Sequence, residues 1–418
     1  MISESKMEKI ISLAKRRGFV YPGSEIYGGL AGTWDYGPLG AEMMYNIKDT
    51  WWKKFVASRD DMYGIASSIM MSEQVWAASG HLKHFTDPLE GKKFNTMFKS
   101  KAGALKDETT EVYLRPELAQ GMFVNFKNIV DSFHPKIPFG IAQIGRCFRN
   151  EISPRDFLFR VREFDLMEFE YFIRPASQQG GEKDWEKYFE YWRKKMWDWI
   201  KEVGIDEKKV HELEVPKNEL AHYSKRTIDF QYDFSFGKKE LYGLAYRTDH
   251  DLKNHKLDYY DEDTKERFVP HVIEPTFGIG RTLLALLDSA YIEDELGGEK
   301  RVFLRLKPHI APIKVAVFPL LKNKPELVKK AKEVYEMIKK DPPDGEAGIH
   351  STMFDDNGNI GKRYRRQDEI GTPYCITIDF ETLEKDDVTV RDRDTGKQER
   401  VKIDELTNIL KKLIFKKE

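Results

Sequence analysis

Apolar positions recur along this 418-residue chain in two rhythms, and each rhythm predicts an element. Near the start, Ile10, Leu13 and Ala14 share one face of a short helical pattern that Gly18 stops before a Gly/Pro loop. From about Leu39 to Val56, Met43, Ile47, Trp51 and Phe55 recur four apart behind Pro38, which predicts a long amphipathic helix. Such a stripe buries against another element, so core or a subunit interface is expected there rather than a ligand site. Between residues 94 and 175 the period falls to two. In VYLRPELAQGMFVNF a strand leads into a helix, with Pro116 suited to its first turn. FGIAQIGRCFRNE and FRVREFDLMEFEYFI read as two strands of an antiparallel hairpin around an arginine-rich loop.

Farther on, Trp185, Phe189, Trp192, Met196 and Trp199 mark an aromatic helix within a helical insert near residues 176–215. Alternation returns in RTIDFQYDFSFGKKELYGLAYRTDHDL, and HVIEPTFGIGRTLLALLDSAYI gives a strand, a Gly-bearing turn and an apolar helix. Strands that follow one another without regular helices between them predict an α+β fold with a largely antiparallel sheet over residues 1–309. After RLKPHIAP the rhythm becomes strand, helix, strand, helix, strand, strand, which predicts a small α/β module over 310–418.

Composition narrows the class. No apolar run approaches about 18 residues and the N-terminus lacks the apolar core of a secretory signal, so a cytoplasmic protein without a membrane partner is expected. Only Cys147 and Cys375 occur, far apart, which leaves no cysteine set for a structural zinc. The 69 basic and 70 acidic residues nearly cancel, so a polyanion would have to be held by local clusters.

One such cluster is FRNEISPRDFLFRVREFDLME, residues 148–168. With period two, Arg162, Phe164, Leu166, Glu168 and Glu170 share a face, and Met167, Phe169 and Tyr171 fall on the opposite, apolar one. Phe164 to Glu168 spans about 13 Å, on the order of a nucleotide carrying a small acyl group. A purine on Phe164 with Arg162 near it and a cation at Glu168 is one reading; a solvated strand face is the other. In EPTFGIGRTLL, Gly278 and Gly280 permit close backbone approach, and Arg281 stands at a helix start, where guanidinium and free amides bind phosphate. The stretch has neither the P-loop pattern nor a βαβ context. Glu117, Glu168 and Glu274 stand at strand ends and, gathered on one sheet, would make an anionic pocket for an ammonium group.

Together GLAGTWDYGPLG, LRPELAQGMFVNFKN, FGIAQIGRCFRNEISPRDFLFRVREF, HYSKRTIDFQYDF and EPTFGIGRT resemble the ordered motifs of the homodimeric glycyl-tRNA synthetases, a class II aminoacyl-tRNA synthetase family. The resemblance covers nearly the whole chain. It implies a class II catalytic domain over residues 1–309, with a dimer-interface motif near 28–56, the hairpin motif at 139–173 and the Gly/Arg motif at 272–290. Residues 310–418 would be a class IIa-type anticodon-binding domain. The partners implied are ATP, glycine, tRNA(Gly) and a second copy of the chain.

Residue by residue, the resemblance puts Arg149 on the ATP α-phosphate and Arg281 on the γ-phosphate as the catalytic pair, Glu151 at the adenine amino group and Phe164 under the ring. Asn150, Phe159, Arg160, Val161, Arg162 and Glu163 complete the ATP contacts of the hairpin. Glu240, Leu241, Gly278, Ile279 and Gly280 complete them elsewhere, with Glu240 as the contact to Mg²⁺ carried by ATP. Around glycine it implies Glu117, Glu168 and Glu274 for the ammonium and Arg247 for the carboxylate. Phe164, Asp165, Leu166 and Met167 border that pocket on one strand, and Pro275, Thr276, Phe277 and Gly278 on another. Thr276 stands where the family commonly has serine and Leu166 where it has glutamine, and the insert after SGHLKHFTDPLE is cut to GKK. The basic GKRYRR, residues 361–366, is a candidate RNA contact or a solvated helix face. Two other functions use the same fold: a non-catalytic RNA- or polymerase-binding accessory protein, and dinucleoside polyphosphate synthesis as the main activity.

Overall fold

The computed structural model describes residues 5–104, 109–175, 184–340 and 349–415. A helix α1 (Lys6–Arg17) opens the chain, capped by Ser5 at one end and by left-handed Gly18 at the other. Its apolar residues Ile10, Leu13 and Ala14 are buried, as the spacing predicts. Helix α2 spans Pro38–Trp52, with Pro38 in its first turn, and runs on into one π-helical turn, Lys53–Ala57.

Seven strands form the central sheet: β1 (Met62–Gly64), β2 (Phe139–Phe148), β3 (Glu163–Ile173), β4 (Val210–Glu214), β5 (Arg226–Phe234), β6 (Gly237–Thr248) and β7 (His271–Gly278). Their order is β4-β5-β6-β7-β3-β2-β1, and every pair is antiparallel except β1 with β2. This is the α+β arrangement that the alternating segments predict.

One face of the sheet is dry. Met167, Phe169 and Tyr171 of β3 and Phe277 of β7 pack into a core with Met43, Ile47, Trp51 and Phe55. Helices α3 (Asp184–Val203) and α4 (Ile279–Ala290) complete it. Ring contacts run through this layer, Phe169 to Trp192 at 4.6 Å and Phe55 to Phe277 at 5.4 Å between centroids. The Met43–Phe55 stripe lies in the core of its own chain, one of the two placements expected for it. Phe189, Trp192, Met196 and Trp199 of helix α3 form part of the main core; residues 176–183 of that segment lie outside the described residues.

The other face carries a second apolar cluster, Leu166 and Phe172 with Leu118, Met122, Phe123 and Phe126. The strand before it ends at Leu114, and the helix expected to begin at Pro116 begins at Ala119 instead. Pro116 sits in a bend, where its carbonyl accepts from Arg149 Nε at 3.1 Å. Among the described residues between 70 and 114, Met70–Ser72, Thr110–Leu114 and Lys99–Ala102 form a three-stranded sheet, and Thr86–Leu89 with Lys92–Asn95 a small hairpin.

A separate core lies in the C-terminal module. Strands β8 (Val315–Pro319), β9 (Thr352–Phe354), β10 (Tyr374–Ile378), β11 (Asp387–Asp392) and β12 (Gln398–Lys402) make a sheet in the order β9-β8-β10-β11-β12. Its first two pairings are parallel and its last two antiparallel. Helices α5 (Pro325–Lys339), α6 (Ile360–Ile370) and α7 (Ile403–Phe415) accompany it. The GKRYRR cluster on α6 is not a solvated basic face. Arg363 is buried and donates to the carbonyls of Pro319, Asp356 and Gly358. Tyr364 packs on Phe318 and bonds Thr377 Oγ1 at 2.6 Å, while Arg365 and Arg366 pair with Glu299 and Asp355.

Candidate active site

The loop between β2 and β3 is anchored from below. Phe157 and Leu158 are buried in the main core, Phe157 edge-on to Trp34 at 4.8 Å, and Asp156 and Phe157 take left-handed backbone values to turn the chain there. With its tip fixed, the loop roofs a cavity of ≈ 590 Å³ whose floor is the ends of β3, β6 and β7. The 84–87 segment closes the far side.

Cations line the cavity and aromatic rings hold them. The Arg149 guanidinium lies 5.2 Å from the centroids of both Phe85 and Phe164. Arg281, in the first turn of α4, lies 4.4 Å over Phe159, and its Nη1 meets Glu240 Oε2 at 3.0 Å and the Glu240 carbonyl at 3.1 Å. Arg160 is paired with two carboxylates, Glu151 at 2.5 Å and Asp87 at 3.0 Å. A cation over a ring gains about 0.5–2 kcal/mol without neutralising its charge, so Arg149 remains available to an anion, whereas Arg281 must first exchange its half-exposed partner Glu240. The Arg281 guanidinium beside Glu240 holds that carboxyl below its usual range. Asp229, next to it, is pushed up to about 7 by burial and by Glu240. Of the two, Glu240 lines the cavity, and a hard divalent cation takes one or two carboxylates plus phosphate oxygens.

Arg149, Glu151, Phe159, Arg160, Val161 and Phe164 all reach the cavity, and so do Glu240, Leu241, Gly278, Gly280 and Arg281. Four expected ATP residues do not. Arg162 donates to the carbonyls of Ala31 at 2.7 Å and Glu151 at 3.2 Å, so it staples the loop rather than flanking a purine. Asn150 is tied through its backbone amide to Thr96, Glu163 pairs outward with Arg146, and Ile279 is in the main core. The close approach at Gly280 is to the chain itself: a Cβ there would stand 3.1 Å from the Leu158 carbonyl.

Beside the cavity the face of β3 turns dry and acidic. Glu168 and Glu170 are 1% and 0% exposed, and Glu117, Glu274 and Asp251 are buried with them. Glu117 takes His81 Nε2 at 3.1 Å and Gln120 Nε2 at 3.2 Å; against the cost of burial, His81 holds its carboxyl far below the usual range. Arg247 is 0% exposed and its Nε, Nη1 and Nη2 are all engaged, with Asp251 at 2.8 and 3.0 Å and with Glu274 at 2.8 Å. Tyr223 covers it at 3.8 Å. Instead of presenting a free guanidinium to a carboxylate, Arg247 neutralises part of the acid group. Burial pushes Glu168, Glu170 and Glu274 up, the first two well above their ordinary value.

Met167 and Phe277, expected around glycine, face the main core on the opposite side of the sheet, and Pro275 is buried away from the cavity. Asp165 touches the cavity, but its carboxylate is held by Lys48 and Arg146, each at 2.7 Å. Leu166 and Thr276 do border it. Sequence reasoning missed His81, Phe85, Gln120, Asp229 and Asp251, which only tertiary contacts bring in. Glu170 carried a signal, a second acid on the Glu168 face in an otherwise apolar run.

An antiparallel sheet with one arginine at a hairpin loop and another opening the helix after β7, both over one cavity, defines a class II aminoacyl-tRNA synthetase. Residues 98–290 match the tRNA synthetase class II core domain (G, H, P, S and T), and residues 314–413 match the anticodon binding domain. The chain is 44% identical to the glycine–tRNA ligase of Clostridium kluyveri, over 98% of its own length and 99% of that protein's. It is 44% identical to that of Caldanaerobacter subterraneus over 97% of each, and 43% identical to that of Streptomyces coelicolor over 98% of each. The chain belongs to the glycine–tRNA ligase family.

Proposed function

We propose that the enzyme attaches glycine to tRNA(Gly) in two steps, forming glycyl-adenylate and pyrophosphate from glycine and ATP, then transferring glycine to the tRNA terminal hydroxyl with release of AMP. The observation that carries this is the junction on β3 of a cationic cavity and a buried acidic cluster, about one aminoacyl-nucleotide in length from Phe164 to Glu168. Purine stacks on Phe164, so Arg149 leaves that ring and swings to the α-phosphate. Arg281 exchanges its Glu240 contact for the γ-phosphate. Mg²⁺ carried by ATP would be held by Glu240, with Asp229 behind it, and would supply neutralisation of phosphate charge. The glycine ammonium enters among Glu117, Glu168 and Glu274, which leaves its carboxylate pointing back to the cavity for in-line attack on the α-phosphorus.

Both steps concern anions brought close together, so fixed cations carry the rate enhancement and no covalent nucleophile is needed. Alanine is opposed by overpacking, since its methyl enters a filled pocket at about 1–3 kcal/mol. Residues 310–418 bind the tRNA anticodon. The enzyme works in the cytoplasm as a homodimer, and the exposed Ile26, Tyr27 and Leu30 are available to the second copy. Light scattering at working concentration tests the dimer. Amino-acid-dependent pyrophosphate exchange tests the reaction: glycine supports it and alanine does not, and exchange with another amino acid but not glycine overturns the specificity.

A further inference from the structure

Glu170 takes no part in the reaction proposed above, yet it is fully buried beside two other acids. Both its carboxyl oxygens are buried without a hydrogen-bond partner among the described residues, and so is Glu168 Oε1. One carboxyl oxygen from each of Glu168, Glu170 and Glu274 lies within 4.8 Å of the others. The register explains the crowding. Glu168 pairs with Thr276 and Tyr171 with Ile273, so the strands bring Glu170 opposite Glu274, while Glu168 and Glu170 share a face two residues apart.

Counting charge decides what such a group contains. The facing titratable groups are Glu168 and Glu170 from β3, Glu274 from β7, Arg247 from β6, Asp251 after it, Glu117 and His81 from the covering segments, and Tyr223 above Arg247. Arg115 and Cys147 approach Glu168 from the β2 side, and His255 meets the cluster through Gln120. Arg247 is consumed by Asp251 and Glu274, and His81 by Glu117. Among the described residues no cation forms an ion pair with Glu168 or Glu170, Arg115 and Arg247 acting on Glu168 only from farther off, and two adjacent buried carboxylates without counter-ions do not both stay ionised.

We propose that glycine binds here by exchange of a proton for an ammonium group: Glu168 is neutral in the empty site and releases its proton to solvent as the ammonium arrives, while Glu170 stays neutral and donates its hydroxyl to the new Glu168 carboxylate. The balance is simple. The Glu168 O–H bond breaks, its proton passes to buffer, and the ammonium charge takes its place, so the buried charge is unchanged. Glu170 is a positioning residue: deeper than Glu168, it turns one oxygen of that carboxylate toward itself and leaves the other to the ligand. The inference rests on the glycine site proposed above.

Calorimetric titration of the full-length enzyme with glycine, in buffers of differing ionisation enthalpy at one pH, reads the proton directly. About one proton is released per glycine, and KM for glycine falls by up to about tenfold per pH unit as pH rises toward the value of Glu168. Heats independent of buffer overturn the exchange. Glycolate, which has no ammonium group, releases none; release with glycolate as great as with glycine overturns the assignment to the ammonium. Glu170→Gln keeps a neutral donor, so it retains the proton release and holds KM within about threefold, whereas loss of the release in that variant would make Glu170 a charged member and overturn its role. Pyrophosphate exchange separates the two readings. Absence of glycine-dependent exchange is a failure of the function, while exchange without proton release is a failure of this inference alone.

Discussion

Along one strand, β3, the protein holds charge in two opposite ways. In the cavity at Phe164, arginines stand in partial contact with water and rings fix their positions, with Arg149 held by rings and Arg281 by a ring and the exposed Glu240. Four residues on, at Glu168, carboxyls are dry and outnumber the cations that reach them. A wet site can position charge by stacking and leave a replaceable partner, as Glu240 is for Arg281. A dry site is governed by the count of counter-ions, and whatever the protein does not supply must come as protons or as the ligand.

The comparison breaks most sharply at Arg247. Arg247→Ala strands Asp251 and Glu274 as buried, unpaired acids and should destabilise the fold by about 3–5 kcal/mol, measured by urea unfolding; a loss below about 1 kcal/mol would mean the cluster is wetter than described. In the cavity, Arg149→Ala and Arg281→Ala should each lower adenylation at least about 100-fold with stability nearly unchanged, read by pyrophosphate exchange and thermal melting. Near wild-type rates in either would remove the phosphate roles.

Titration sharpens the contrast, because the two kinds of acid in the dry site run in opposite senses. Glu117 is held below its ordinary value, so its stabilisation is present above the unfolded carboxyl value and lost as pH falls. Glu170 is raised, so its contribution is full below that value and is lost as pH rises toward its folded value. Glu170→Gln should therefore gain stability relative to wild type as pH rises between about 5 and 7, by on the order of 1 kcal/mol per pH unit, in melts run as a pH series. A constant offset would contradict the neutral Glu170. The smallest effect belongs to Glu163→Gln, which breaks an exposed pair with Arg146 and should change stability by less than about 0.5 kcal/mol and exchange rates by less than about twofold.

Much of this was legible in the chain. Period two marked both strands of the hairpin and the acidic face of β3, and the FRNE and GIGR stretches marked the two arginines that reach the cavity. Less legible was which polar residues turn toward that cavity. Arg162 and Arg149 look alike in sequence, yet one staples Ala31 and the other lies between two rings. The GKRYRR cluster reads as a basic face, but carbonyls at the end of β8 and in the loop before α6 drew Arg363 inward. Met167 and Phe277 neighbour the site in sequence and are excluded from it by the pleat, which sends them to the opposite side of the sheet.

The sequence by itself determined the fold class, the division into a sheet domain and an α/β module, and the identity of the charged strand. Those follow from local period and turn chemistry, which short stretches carry. Tertiary structure decided how many cations reach each carboxyl, because Arg247, His81 and Gln120 arrive from segments distant in the chain. That count sets whether an acid is charged, and so whether Glu168 awaits an ammonium group as a carboxylate or as a carboxylic acid.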